Sequence, residues 1–311
     1  FDRIGGEVVQ TTAFVLKNHH NPDFKGDYVR LIEGNSEAEK SKMFVDAVKN
    51  PDCGWFYRAC ASDFKKVPSI PIAYSAGSIS LDVFAKLNKL DNRALKGLDT
   101  NGSIELFLKR WFEVSVKDFS LLNKNSDKWY PIAKGGEYRK WYGNNDFAIN
   151  YANNGYALKA NKANLRSAYK YFEKGLTWTV VSSSGFAVRY MPEGFLFDQG
   201  GSGIFLDVSD NLSLFELLGS LNSAFVRQIS KLFCPTLNFT TGDVRRFPVF
   251  GGSQCEQISK SCLAISKSDW DSYETSWDFT TLPLLQSNYH KPTIQATYSQ
   301  LRSHWQTITH Q

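Results

Sequence analysis

Between residues 213 and 233 apolar side chains return on a single face at helical spacing: Leu214, Leu217, Leu218, Leu221, Phe225, Ile229 and Leu232. A stripe of that width must be covered by other elements, so it predicts one long buried helix and a core built around it. Ser213 and Glu216 stand at capping-box spacing, and Pro235 follows the end. The stripe is core and not a site.

Around this helix the pattern alternates between strands and helices, which predicts an α+β fold. Glu7 to Leu16 and Asp27 to Ile32 read as two strands joined by the polar turn Asn18-His19-His20-Asn21-Pro22. An isolated hairpin is marginal in water, so this pair is expected to complete a sheet whose other strands lie upstream of Phe1. Ser36, with Glu37 and Glu39 after it, predicts a capped helix running to about Asn50. An extended connector from Lys66 to Tyr74 follows, and Ser80 opens a second helix carrying Leu81, Phe84, Leu87 and Leu90. The Gly, Asn and Asp-rich stretch from Gly97 to Gly102 marks the main boundary. Beyond it, 104–250 reads as a mixed domain with strands at Leu176–Val181 and Gly194–Phe197. Residues 251–311 read as a helical extension holding Trp270, Trp277 and Trp305.

Several chemistries find no support. No apolar run approaches the ~20 residues of a membrane span. The five cysteines are odd in number, without a CxxC pair, which argues against a disulfide framework or zinc module and for a reducing, cytoplasmic setting. The chain opens on Phe1 without a basic-then-apolar leader, and reads as a piece of something larger. There is no GxSxG elbow, HExxH, Walker loop or GxGxxG, so no catalytic, metal or cofactor residue is assigned. His19 and His20 fit a solvated turn. Asp198-Gln199-Gly200-Gly201-Ser202-Gly203 resembles an anion-binding loop but fits a turn entering the strand Ile204-Phe205-Leu206 better. Asp269 and Asp271 read as ordinary helix N-terminal acids.

The positive signal is charge interleaved with aromatics. Lys128 to Arg189 holds ten basic side chains against three acids, a local +7 in a chain of net +5. Within it, Lys134-Gly135-Gly136-Glu137-Tyr138-Arg139-Lys140-Trp141-Tyr142-Gly143-Asn144 combines glycines that let a phosphate approach with cations that neutralise it and rings that stack. Asn144 and Asn145 suit bidentate reading of adenine, and Arg139 of guanine. A second stretch, Pro235 to Val249, offers Asn238, Thr240, Thr241, Arg245 and Arg246 as donors to phosphate oxygens. The competing reading is a solvated basic face over core aromatics, with a plain helix-to-strand connector whose Asp243 pairs with Arg245 or Arg246.

These two stretches resemble a known family. Lys134 to Asn144 is similar to the KGGxxRKWYGN segment of the PglX family, the adenine-specific DNA methyltransferases of BREX phage-defence systems. Asn222-Ser223, then Pro235 to Phe239 and Gly242-Asp243-Val244 through Pro248-Val249, resemble the ending of its target-recognition domain, which type IIG restriction-modification enzymes share. Gly5 to Leu16, Ile70 to Tyr74, Phe107 to Val114 and Ser266 to Phe279 match as well, in order. At Thr100-Asn101-Gly102-Ser103 the chain departs from the family's pattern.

The resemblance implies that residues 1–35 are the last strands of a Rossmann-like methyltransferase sheet and 36–103 a helical connector. Residues 104–250 would be the DNA target-recognition domain. The implied S-adenosylmethionine loop and adenine-holding Asn-Pro-Pro-Tyr loop belong to an upstream methyltransferase domain, and the chain contains no Pro-Pro. The expected partner is double-stranded DNA, held by Lys134, Gly135, Gly136, Arg139, Lys140, Trp141, Tyr142 and Asn144, with the 238–246 residues as a second edge. Trp141 and Tyr142 could serve only to buttress that loop. An alternative is a module that docks other BREX proteins or a DNA-mimic phage inhibitor.

Overall fold

The computed structural model describes residues 12–19, 21–66, 70–76, 85–102, 104–234 and 237–309, the side chains of 232 and 233 excepted. It divides into two compact units, Phe1–Leu87 and Asn88–Gln311.

In the first unit, strand β1 (Lys25–Val29) pairs antiparallel with β2 (Phe56–Cys60), Asp27 lying opposite Arg58 and bonding it at 2.6 Å. Helix α1 (Glu37–Lys49) lies between them in sequence. Ser36 caps α1 as its spacing predicts, its hydroxyl accepting from the Glu39 amide. The hairpin expectation is corrected here. Residues 12–16 have no regular structure, Phe14, Val15 and Leu16 are exposed, and β1 finds its partner beyond α1 instead. The rest of the predicted first strand, 7–11, lies outside the described residues, as does His20. Strands completing a Rossmann-like sheet are not seen among the described residues.

The second helix predicted from Ser80 is also shortened. Its start lies outside the described residues, and helix persists only through 86. Leu87 to Leu90 then turn away as β3 (Asn88–Lys89), pairing with β12 (Pro248–Val249). Leu90 is fully buried in the second unit.

Two four-stranded sheets organise that unit. One has the order β10 (Leu196–Phe197), β6 (Trp129–Ala133), β7 (Phe147–Asn150), β5 (Leu108–Arg110), with β10 parallel to β6 and the rest antiparallel. The other is antiparallel in the order β4 (Ala94–Leu95), β11 (Gly203–Ile204), β8 (Gly175–Trp178), β9 (Val188–Met191). Ile132, Ile149, Leu158, Phe195, Leu196 and Phe197 are buried on the first sheet, ringed by the edge-to-face aromatics Tyr130, Tyr151, Tyr171 and Phe172. Gly97–Gly102 lies inside this unit, with Leu98 and Thr100 buried. The Asp198–Gly203 stretch is a turn into β11, its amides at Gly200 and Gly201 taken by the Asp198 carboxylate at 2.8 and 2.7 Å.

The predicted long helix is two: α2 (Leu214–Asn222) and α3 (Ala224–Phe233). The Ser213–Glu216 capping box forms in both directions. The break comes at Ser223, whose extended backbone ends α2 and whose hydroxyl caps α3 by accepting from the Val226 amide. Asn222 fixes it in place. Its side chain accepts from the Val188 amide at 3.1 Å and donates to the Val188 carbonyl at 3.0 Å, clasping β9. Helix α4 (Ser253–Trp270) packs on α2, and α5 (Ile294–Thr309) ends the described chain. Asp269 and Asp271 stand at the C-terminal end of α4, not in a first turn.

Candidate nucleic-acid interface

The loop from Lys134 to Asn144 leaves β6 and returns to β7 over the second sheet. Gly135 has φ +96°, and a Cβ there would meet the Gly200 carbonyl oxygen at 2.6 Å. Only glycine lets the loop lie this close to the 198–203 turn. Trp141, at φ +69°, bonds to β9 on both sides, its amide to Val188 (3.0 Å) and its carbonyl to the Tyr190 amide (2.7 Å).

Most of the expected DNA-contacting side chains of this loop are held by neighbouring groups of the protein. Arg139 pairs with Asp269 at 3.3 Å and lies over the Trp270 ring at 5.0 Å. Lys140 donates to the Asn222 carbonyl at 2.9 Å; burial and the Arg227 charge hold its pKa below the usual lysine range. Tyr142 is buried under Lys267, and that burial pushes its phenol up to about 12. Burial pulls Lys267 down, but its hydrogen bonds to Asp271 and Asp278 outweigh this and raise it. Asn144 is buried and donates to the Glu137 carbonyl at 2.8 Å, closing the loop on itself. Lys134 lies partly exposed above Phe147, and Gly136 and Glu137 form the exposed tip.

The second stretch is similarly tied. Thr240 and Asp243 form a capping box around the single turn Thr241–Val244, and Asp243 pairs with Arg246. Arg245 donates to the Ala94 carbonyl at 3.0 Å. Thr241 is half-buried at the start of the turn, while Asn238 is exposed, its backbone bridged to Val181. The pairing of Asp243 with Arg246 is one that the competing reading contained.

Beneath the Lys134–Asn144 loop lies Arg189, whose backbone bridges Trp141. Its side chain is buried, its Nη1 donates to the Thr179 hydroxyl at 3.2 Å, and its Nε has no acceptor. Burial, then the charge of Arg139, pushes its pKa down to about 10. An isolated guanidinium in such a place is an unfilled demand for an acceptor.

The outward-facing part of the basic block is the segment 152–174, which carries no motif in the sequence. Between Ala152 and Lys174 the backbone enters the left-handed region at Asn153, Asn154, Gly155, Lys162, Ser167 and Phe172. Such strain persists only where surrounding packing enforces it, and here Tyr151, Leu158 and Tyr171 are anchored in the core. The segment presents Lys159, Lys162 and Lys174 to solvent, with Tyr156 and Tyr169 more than two-thirds exposed. The Asn-Asn-Gly run, tolerant of positive φ, was the sequence signal for it.

Among the described residues, no His, Cys, Asp and Glu side chains gather to hold a metal ion, and no helix is long and apolar enough to cross a membrane. No family model matches the chain. Across 96% of its length it is 49% identical to the adenine-specific methyltransferase BrxX of Escherichia coli O9:H4 (strain HS). Over the same share it is 36% identical to the adenine-specific methyltransferase PglX of Lacticaseibacillus casei (strain Zhang). The chain spans 24% and 26% of the lengths of these two proteins. The resemblance first carried by a few motifs therefore extends along nearly the whole chain.

Proposed function

We propose that this relative of the PglX-like adenine-specific methyltransferases supplies the part that grips duplex DNA and sets the methylation site. Methyl transfer from S-adenosylmethionine is then the work of an upstream methyltransferase domain in the longer protein, as part of a BREX defence system. Methylating an adenine requires the base to leave the stack, at a cost of a few kcal/mol. Contacts to the sugar-phosphate backbone offset that cost and hold the register, and base-edge contacts worth roughly 1–3 kcal/mol each choose the site.

The observation that carries this reading is the exposure, within residues 152–174, of Lys159, Lys162 and Lys174 together with Tyr156 and Tyr169. Cations there meet phosphates and the rings stack or wedge. The Lys134–Asn144 loop is tied to α2 through Lys140 and to α4 through Arg139, and its exposed Gly136 tip admits close backbone approach. The exposed Phe44, Val45 and Val48 on α1 offer an apolar face for the upstream domain.

The test is a fluorescence-anisotropy titration of the chain with random-sequence duplex across a salt series. Binding should weaken steeply with salt, and K159A/K162A/K174A should lower the log–log slope by about 2–3. Binding that ignores duplex but captures an acidic DNA-mimic protein would point instead to an interaction module.

A further inference from the structure

Beside the 238–246 stretch, the 182–185 loop, α3 and the Leu237–Phe239 segment enclose a cleft of about 280 Å³. Its position is fixed by backbone. The Ser182 amide donates to the Leu237 carbonyl at 2.9 Å, the Phe239 amide donates to the Val180 carbonyl at 2.7 Å, and the Trp178 indole donates to the Phe239 carbonyl at 2.8 Å.

The chemistry of the lining has one sign. Arg227 and Lys231, four residues apart on one face of α3, both border the cleft and are exposed. Neither makes an ion pair among the described residues. Across from them stand Ser182, Ser183 and Ser184, whose hydroxyls have no hydrogen-bond partner there either. No Asp or Glu lines the space. Asp243, whose charge is felt at Cys234, is already paired with Arg246. Cys234, also in the lining, stays a neutral thiol because burial pushes it up to about 12. Two cations without an ion pair face three hydroxyls that can each turn an O–H inward, and no carboxylate competes, a set that suits a tetrahedral oxyanion.

We infer that this cleft binds a phosphate group, with Arg227 and Lys231 supplying charge and Ser182–Ser184 supplying hydroxyl donors. The phosphate comes from a DNA backbone that runs past the exposed basic face, so the inference rests on the proposed function; a free phosphate would satisfy the same chemistry. Arg227 also bears on Lys140 electrostatically, so the cleft and the Lys134–Asn144 loop share one positive field.

Two arms on the 311-residue chain test it. In the first, inorganic phosphate is titrated at constant ionic strength while the amide resonances of Ser183, Ser184 and Gly185 are followed. Shifts are expected in the wild type and not in R227A/K231A. In the second, duplex binding is measured across salt, and the double variant should lose about two units of salt slope. Both side chains are exposed on α3, so an unchanged melting temperature confirms that folding is intact; R227E, with opposite charge, should weaken duplex more than R227A. Loss in both arms supports a backbone-phosphate site. Loss of phosphate shifts alone supports a cleft for free phosphate. A variant identical to wild type in both arms overturns the inference, even where wild type binds duplex. A wild type that ignores duplex overturns the proposed function, and the phosphate arm still decides the cleft.

Discussion

The Lys140 ammonium lies 2.9 Å from the Asn222 carbonyl oxygen, at the C-terminal end of α2. The bond joins a cation to the negative end of a helix, and Asn222 in turn clasps Val188 through its side chain. One residue thus holds the loop, the helix break and β9 together. Replacing Lys140 with Met removes a charge-assisted bond and is expected to cost about 1.5 kcal/mol in urea unfolding. The effect on duplex affinity should be smaller than that of removing Lys159, Lys162 and Lys174. Intact stability with a collapse of duplex binding would mean that Lys140 leaves the helix to meet DNA.

Gly135 offers a sharper test of the loop. An alanine there must adopt φ near +96° and place its Cβ 2.6 Å from the Gly200 carbonyl. The backbone penalty alone is about 1–3 kcal/mol. G135A is expected to lower the urea midpoint by at least that much, and to shift the amide resonances of Gly200 and Gly201. Gly185, with φ +104° and open space around it, should give only the backbone part when changed to alanine.

The caps at Ser36 and Ser213 were legible because a side chain meets a backbone amide three residues away. The break at Ser223 was not. The apolar spacing of Leu221, Phe225 and Ile229 runs straight through it, and what fixes it is a bond from Asn222 to a strand 34 residues earlier. The same holds at β1, whose partner lies beyond a helix. In the candidate site, the types of residue in Lys134–Asn144 were plain, but Arg139 turns toward Asp269, 130 residues later, and nothing local encodes that. The cleft beside α3 was invisible for a like reason: the 182–184 serines are brought toward the helical cations by the Val181–Asn238 pairing, 57 residues apart in sequence.

Asp198 predicts a pH dependence. Burial pushes its carboxyl up to about 6, against the Gly201 amide, the Lys134 charge and the Gly200 amide, which pull it down. A folded value above the unfolded one means that the native state holds the proton more tightly. The group's contribution is then greatest below about pH 4, falls as pH rises, and levels off above about 6. In D198N an uncharged oxygen can still accept from both glycine amides. Its stability relative to wild type should climb through that window by on the order of 2–3 kcal/mol. Parallel unfolding curves from pH 4 to pH 7 would show that Asp198 does not titrate there.

Arg189 carries the last prediction. It lies opposite Thr177 in the β8–β9 register, buried, with one bond to Thr179 and an Nε that reaches no acceptor. Stability alone does not explain such a group, because an unpaired buried charge costs more in lost hydration than one hydroxyl returns. Exchanging buried charge for apolar volume is often neutral or favourable. R189M should therefore unfold at the same or a higher urea concentration than wild type, by roughly 1–2 kcal/mol. Because the side chain is only 2% exposed, a DNA acceptor reaches the idle Nε only where binding opens the loop packed over it, and in that case duplex affinity should fall in R189M. R189K, which keeps charge but loses the planar fork, should fall between the two in binding. A clear loss of stability in R189M with duplex binding intact would make Arg189 a structural residue and remove it from the interface.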